Sequence, residues 1–380
     1  MFTPEELHRY SRQILLPSFG EEAQQKLKNS SVLVIGAGGL GTPALQYLIA
    51  AGVGRMGIVD FDRVDISNLQ RQVLFSTHDV GRSKAEVAAK KLKELNPLSN
   101  IEHFNTHLSA TNAQAILSTF DLVIDGSDNL PTRYLVNDAC VLLNKPLVYG
   151  AIFQFEGQVS VFNQLLDDGT RGPNYRDLFP EPPPPEMVPS CSEGGVLGVL
   201  PGIIGSMMAN EAIKIIAGIG NTLQGRLVLF NSLDFTTRIV NVRKSKTNPL
   251  NGENPTIFAL IDYEAFCNPS KPTSTLKEIE PATLKQWMDS GKAFQLIDVR
   301  ESQEVKLVRL NSLHIPLMHI DQELDVIQKE IPVVLYCKGG SRSAKAIQKL
   351  ESLYQLKNLY NLKGGIINWI NQVDPSLPRY

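Results

Sequence analysis

Gly36-Ala37-Gly38-Gly39-Leu40-Gly41 has the spacing G-x-G-x-x-G, follows the apolar run Ser31–Ile35, and precedes Leu45, Leu48 and Ile49 at helical intervals. That order is strand, glycine turn, helix, and it aims backbone amides at a phosphate. NAD enzymes and ATP enzymes share the device, so the loop alone does not choose between them. Asp60, closing a second apolar run, is placed to take ribose hydroxyls, which also fits both classes. Asp62, Ser67-Asn68-Leu69-Gln70-Arg71, Lys84 and Asp128 separate them, because they bring two cations and two acids to the same strand ends. Hydride transfer needs no such charge, whereas phosphoryl or nucleotidyl transfer does. Arg71 and Lys84 would hold the β- and γ-phosphates as charge develops on leaving pyrophosphate, and Asp128 would ligate Mg²⁺. Taken singly, Asp62 and Lys84 read equally well as solvated surface charges and Asp128 as a turn residue; taken together they do not.

The second chemistry is that of sulfur. Cys140, Cys191, Cys267 and Cys337 lie far apart with no C-x-x-C pair, which argues against a zinc cage and against a disulfide framework. Cys337 comes off the strand-like run Pro332–Tyr336 and heads Cys337-Lys-Gly-Gly-Ser-Arg342, which opens a helix over Ser343–Leu353. Backbone amides, a helix N-terminus and the charges of Lys338 and Arg342 are features that stabilise a thiolate or persulfide anion. Cys191 follows the proline-rich stretch Glu181–Glu186, expected to be an exposed polyproline loop, and suits a thiol that swings toward a bound intermediate. Cys140, within a helical run, and Cys267, in a polar connecting stretch, read as buried inert thiols.

These residues need a parallel sheet to position them. Strand-like runs at Met56–Asp60 and Asp121–Asp125 alternate with helical segments, one of them Ser83–Leu95 with Ser83 and Glu86 spaced as a capping box. After Gly150 the pattern becomes more β-like, with Gln158–Phe162 and Arg226–Phe230 flanking a helical stretch from Ile203 to Ala217. The expected fold class is therefore α/β, a Rossmann-like mixed sheet with a smaller α/β domain behind it. A chain of 380 residues exceeds the length at which single cores stop growing, roughly 250–300 residues. We divide it at 1–247, a linker at 248–273 rich in Pro, Asn, Ser and Thr, and 274–380. A net charge of −2 with no basic block speaks against nucleic acid or an anionic membrane as partner. The start has no basic and apolar leader, and the uncharged run Gly194–Asn210 is broken by Pro201 and five glycines. A cytoplasmic protein is expected.

Arg9-Tyr10-Ser11-Arg12-Gln13, Gly36–Gly41, Asp60-Phe-Asp62, Ser67–Arg71, Lys84, Asp125-Gly-Ser-Asp128-Asn129 and Glu156-Gly157-Gln158 together resemble the MoeB/ThiF family, relatives of ubiquitin-activating enzymes. Cys337–Ser343, with Asp298-Val-Arg300 before it and Gly364–Trp369 after it, resembles a rhodanese domain. The first resemblance implies a homodimer in which Arg12 reaches the ATP site of the partner subunit, and a substrate that is a ubiquitin-like sulfur carrier ending in Gly-Gly. It places Gly36, Gly38, Gly39, Gly41, Asp60, Asp62, Ser67, Asn68, Leu69, Gln70, Arg71, Lys84, Asp128 and Asn129 at the nucleotide and gives Cys191 a covalent role in sulfur transfer. The second implies that Cys337 carries sulfane sulfur as Cys337-S-SH, loaded by an upstream persulfide donor.

Two departures stand out. Many MoeB/ThiF members bind zinc through two C-x-x-C pairs, but this chain reads Asn174-Tyr175-Arg176-Asp177 at the first and has no cysteine near Thr247–Gly252, so no zinc is expected. Glu301–Pro316 lacks the acidic-aromatic and glycine run usual after Asp-Val-Arg in rhodaneses. The readings carried forward are ATP-dependent adenylation followed by sulfur transfer, a ubiquitin-type activator passing its carrier from Cys191 as a thioester, and an NAD-dependent oxidoreductase fused to a sulfur-handling module.

Overall fold

The computed structural model describes residues 2–183, 195–267 and 276–378. The chain forms two compact units, residues 1–269 and 270–380. In the first, β1 (Ser31–Ile35) is buried at every position, as a β-branched run covered on both faces requires. It joins β2 (Arg55–Val59), β3 (Asn100–Phe104), β4 (Leu122–Asp125), β5 (Leu147–Phe153), β6 (Glu156–Phe162), β7 (Arg226–Asn231) and β8 (Thr236–Asn241) in one sheet. The order is β3-β2-β1-β4-β5-β6-β7-β8. Strands β1 to β5 run parallel and β5 to β8 antiparallel, so the sheet is mixed at its far edge.

The strand order reverses between β1 and β4, and Ile35 faces Val59 on one side and Asp125 on the other. Ligands of open α/β sheets bind in the crevice outside the carboxyl ends at such a reversal. The glycine turn sits there. Gly36 has φ +88°, and a side chain on Gly41 would overlap the Gly36 carbonyl, so the turn closes only with glycine at both places. Helix Gly41–Ala51 follows and packs against helix Leu200–Ala217, which also covers β5 and β6. Helix Lys84–Leu95 starts where its sequence places it, with Ser83 Oγ accepting the Glu86 N–H at 3.4 Å.

The stretch from Asn248 to Cys267, assigned above to the linker, folds onto the first unit. Leu250, Tyr263 and Cys267 are buried. Tyr263, on the short helix Tyr263–Cys267, donates to Asp138 Oδ2 at 2.9 Å. Asp138 in turn pairs with Arg176 at 2.7 Å, and both members are fully buried. The Arg176 guanidinium lies 4.7 Å from the Phe266 ring centroid. A buried ion pair needs this enclosure, since either charge left alone would be costly.

In the second unit β9 (Glu278–Ile279), β10 (Gln295–Asp298), β11 (Leu313–His314), β12 (Val333–Tyr336) and β13 (Leu359–Leu362) form an all-parallel sheet in the order β11-β10-β12-β13-β9. Central β12 divides its side chains by the two-residue period of a strand. Val333 and Leu335 enter one core, with Ile297, Ile347 and Leu359, while Val334 and Tyr336 enter the other, with Ile366 and Trp369. Helix Ser341–Tyr354 follows β12 two residues earlier than its sequence pattern indicates.

Candidate active sites

The first site is a cleft at the reversal between β1 and β4. It is lined by Gly36, Gly38 and Gly39, by Asp60, Asp62, Arg71 and Lys84, and by Asp128 and Asn129. Residues up to 93 positions apart in the chain thus meet outside the carboxyl ends of the central strands. Gly39 faces Pro201 of the long helix so closely that a Cβ there would lie 3.1 Å from the proline Cβ.

Asp60 is buried and holds the loop itself. Its Oδ2 accepts the Ala37 N–H at 2.7 Å and its Oδ1 the Asp62 N–H at 2.8 Å. Burial pushes its carboxyl pKa up, against the pull of Lys84 and these two amides. Lys84 is not a surface charge. It is 5% exposed, and its Nζ donates to Asp62 Oδ2 at 2.9 Å, so the cation is fixed in the cleft wall. Arg71 Nη1 donates to the Ser67 carbonyl at 3.1 Å, while its Cδ lies beside Gly39. Asp128 is exposed at the cleft. Asn129 has a second task, capping helix Leu130–Leu142 by accepting the Thr132 N–H at 2.9 Å.

Five expected contacts do not line the cleft among the described residues. Gly41 packs the turn, and Ser67, Asn68, Leu69 and Gln70 shape the segment that carries Arg71. Ser67 Oγ donates to Asp65, Leu69 packs on the core, and Gln70 stands against Gly198. Arg12, expected at the site of a partner subunit and not of its own chain, is exposed near the end of helix Pro4–Ile14. Cys191 lies outside the described residues.

The sequence reading overlooked Gln72, Arg133, Phe61 and His107, all of which line the cleft. Arg133 comes from helix Leu130–Leu142, donates to the Ser127 carbonyl at 3.4 Å and lies 5.7 Å from the Tyr149 ring centroid. Its place four residues past Asn129, one helical turn on, was the available signal. Phe61 and His107 form a ring pair with centroids 4.8 Å apart. Cys140 and Cys267 are buried, and burial raises both thiol pKa values, that of Cys267 to about 11, in keeping with the inert reading.

Neither C-x-x-C pair of the family's zinc site is present in this sequence. Asn174 and Asp177 instead make a capping box on helix Tyr175–Leu178 and clasp the later loop. Asp177 Oδ1 accepts from Ser245 N at 2.8 Å and Asn248 Nδ2 at 2.7 Å, and Asn174 Nδ2 donates to Asn251 Oδ1 at 3.2 Å. The Asp177 carboxylate and the amides of Asn174, Asn248 and Asn251 make this clasp, where a zinc site would need thiolates. No step is assigned to zinc.

The second site is the loop after β12. Cys337 is fully buried, and its Sγ accepts the Gly340 N–H at 3.1 Å. Ser343 Oγ, 3.5 Å from the sulfur, has one hydrogen to give and lies 2.6 Å from Asn361 Oδ1. Gly340 has φ +98°, which turns the loop into helix Ser341–Tyr354. The N-terminus of helix Gly365–Gln372 closes it from the other side, with Ile366 N donating to the Cys337 carbonyl at 2.9 Å. Arg342, expected to add charge near the sulfur, stands in the first turn of helix Ser341–Tyr354. Its guanidinium forms a bidentate pair with Glu304, at 2.6 and 2.7 Å, so its charge is matched there. Burial pushes the Glu304 carboxyl pKa up, but the Arg342 pair outweighs it and the net shift is downward. Glu304 belongs to helix Ser302–Leu307, inside the stretch whose sequence departs from the rhodanese pattern. Lys338, next to the cysteine, is half-buried.

No helix among the described residues is long and apolar enough to cross a membrane. Residues 10–251 match the ThiF family, and residues 280–372 match the rhodanese-like domain. The chain is 45% identical to the probable adenylyltransferase/sulfurtransferase MoeZ of Mycobacterium tuberculosis, over 99% of this chain and 96% of that one. It is 57% identical to the sulfur carrier protein adenylyltransferase of Thermus thermophilus, over 70% of this chain and 98% of the relative. Adenylyltransferase and sulfurtransferase MOCS3 of Drosophila yakuba is 43% identical, over 100% of this chain and 86% of its own length. Among solved structures, E. coli MccB crystallised with ATP superposes with a TM-score of 0.55 at 24% identity, over 64% of this chain and 73% of that one, which shows a shared fold.

Proposed function

The chain belongs to the ThiF family and is an adenylyltransferase with a rhodanese-like sulfurtransferase domain, and from that premise we propose that it uses ATP to activate the C-terminal glycine of a ubiquitin-like sulfur-carrier protein and then converts that end to a thiocarboxylate. The observation that carries the reading is the convergence of the glycine turn, Asp60, Arg71, Lys84 and Asp128 on one cleft.

A carrier carboxylate oxygen attacks the α-phosphorus of ATP, the bond to the β-phosphate oxygen breaks, and pyrophosphate leaves. No proton is removed from the nucleophile. The barrier is therefore lowered by position and by matching the charge that gathers on the leaving group. Lys84, held by Asp62, and Arg71, held over Gly39, supply that charge with little rearrangement. Amides of the Gly36–Gly41 turn receive phosphate oxygens, and Asp60 keeps the turn in shape through Ala37. One exposed carboxylate, Asp128, fits Mg²⁺, which takes one or two carboxylates together with phosphates and water and would neutralise phosphate charge there. In this reading the protein is a homodimer and Arg12 completes the partner subunit's site.

The terminal sulfur of a Cys337 persulfide then attacks the acyl carbon and expels AMP. Cys191 attacks the Cys337 sulfur, which releases the thiocarboxylate and leaves a disulfide that an external dithiol reduces. An upstream persulfide donor reloads Cys337. ATP–pyrophosphate exchange with a panel of carriers ending in Gly-Gly tests the first half. Exchange with an intact carrier and none with one lacking its last glycine supports it, and no exchange with any carrier rejects it. A carrier that accumulates as a Cys191 thioester and never gains sulfur would favour the ubiquitin-type activator instead.

A further inference from the structure

Gln72 follows Arg71 and is only 4% exposed. It lines the same cleft as Gly38, Asp60 and Lys84, and its Oε1 is buried without a hydrogen-bond partner among the described residues. Its Nε2 lies on the Gly38 side, 3.8 Å from where a Cβ on that glycine would stand. Native proteins leave few buried polar atoms unmet, because each forfeits the hydrogen bond it made to water in the unfolded chain. The neighbours of Gln72 each have a partner: Asp60 two backbone amides, Lys84 the Asp62 carboxylate, Arg71 the Ser67 carbonyl. A buried amide left unmatched at the wall of a cleft, beside a glycine loop, is placed for a ligand rather than for the fold.

The chemistry of that ligand follows from the surroundings. Arg71, Lys84 and Arg133 line the cleft with positive charge, and the glycine turn presents backbone amides. An amide side chain adds what neither provides, a neutral group with two directed donors and one acceptor. A phosphate chain laid along the turn offers acceptor oxygens to Nε2, and its hydration water offers a donor to Oε1.

We infer that Gln72 is a substrate-binding residue of the adenylation site, with Nε2 donating to a phosphate oxygen of ATP where the phosphate chain passes Gly38. The inference rests on the adenylation reading above. It also separates function from stability. Methionine has nearly the shape of glutamine and no polar atoms to satisfy, so Gln72→Met removes the unmet group without opening a cavity.

The test is isothermal titration of the full-length wild type, Gln72→Met and Gln72→Glu with ATP and Mg²⁺, alongside the melting midpoint of each free protein. Wild type is expected to bind. Gln72→Met should weaken binding about tenfold, the loss of one hydrogen bond to a charged acceptor, with a midpoint equal to or above that of wild type. Gln72→Glu should weaken it further, because a carboxylate would face the phosphates. Gln72→Met binding within about twofold of wild type would overturn the inference. Weaker binding accompanied by a lowered midpoint would also overturn it, by making Gln72 a packing residue. Failure of the wild type itself to bind ATP would instead defeat the adenylation reading and the inference with it.

Discussion

The nucleotide cleft and the Cys337 loop use charge in opposite ways. In the cleft, burial raises the Asp60 carboxyl pKa, Asp128 is exposed, and the Gln72 Oε1 has no partner among the described residues. Around Cys337 the polar groups are matched internally: Glu304 with Arg342, Ser343 with Asn361, the sulfur with the Gly340 amide. The first arrangement is complete only with a ligand. The second is complete without one and holds a single buried atom ready. The difference teaches that an open site for a large, highly charged substrate leaves its polarity unmet, whereas a sulfur carrier encloses its reactive atom and supplies the polarity itself.

Four experiments bear on that contrast. Cys337→Ala should abolish thiocarboxylate formation, by about 10³-fold or more in a sulfur-transfer assay, and leave ATP–pyrophosphate exchange within about twofold, since the chemistry of each site depends on its own groups. Equal loss of both activities would break the division. Lys84→Ala should lower exchange by about 10²–10³-fold, the scale for losing a preorganised charge partner, while sulfur transfer from thiosulfate to cyanide is unchanged. Asp177→Ala should cost about 2–4 kcal/mol in denaturant unfolding, because it strips partners from three N–H donors, whereas a chelator should leave wild-type stability unaltered. Chelator sensitivity would show that the clasp is not what joins those loops.

The smallest effect concerns Glu304. Its folded pKa lies below the ordinary value of 4.5, so its contribution is fully present above that value and is lost as pH falls below it. Glu304→Gln should be about 1 kcal/mol less stable than wild type at pH 7, and the gap should close as the pH is lowered through the depressed pKa of Glu304. A gap constant with pH would mean that the bidentate pair is not ionic in effect.

The legible parts of the molecule are those where residue type and chain order act together. The run Ser31–Ile35 and the glycines behind it announced β1 and its turn, because only glycine fits a left-handed Gly36 and a Gly41 pressed on its carbonyl. Asp60 and Asp128 are legible because charge just past an apolar strand is rare without a purpose, and Arg71 and Lys84 because they supply the cations such acids imply. Gln72 and Arg133 were missed since neither type is unusual at the surface, and only the fold turns them inward. Strand β3, Asn100–Phe104, carries a histidine and a glutamate and has no buried position, so its pattern is not that of a core strand. Glu304 was hidden for another reason: it lies 38 residues from Arg342 and only tertiary structure joins them. The stretch around Asn248–Cys267 looks like linker by composition, yet Tyr263 finds the buried Asp138 across 125 residues.

That last contact fixes where the chain can be divided. A break after Asn251, where the match to the ThiF family ends, would remove Tyr263 and Phe266 and open the Arg176–Asp138 pair to water from one side. A break after Cys267 would keep it sealed. The seam between the adenylating and the sulfur-carrying modules therefore lies beyond the short helix, which belongs to the first module and not to the joint.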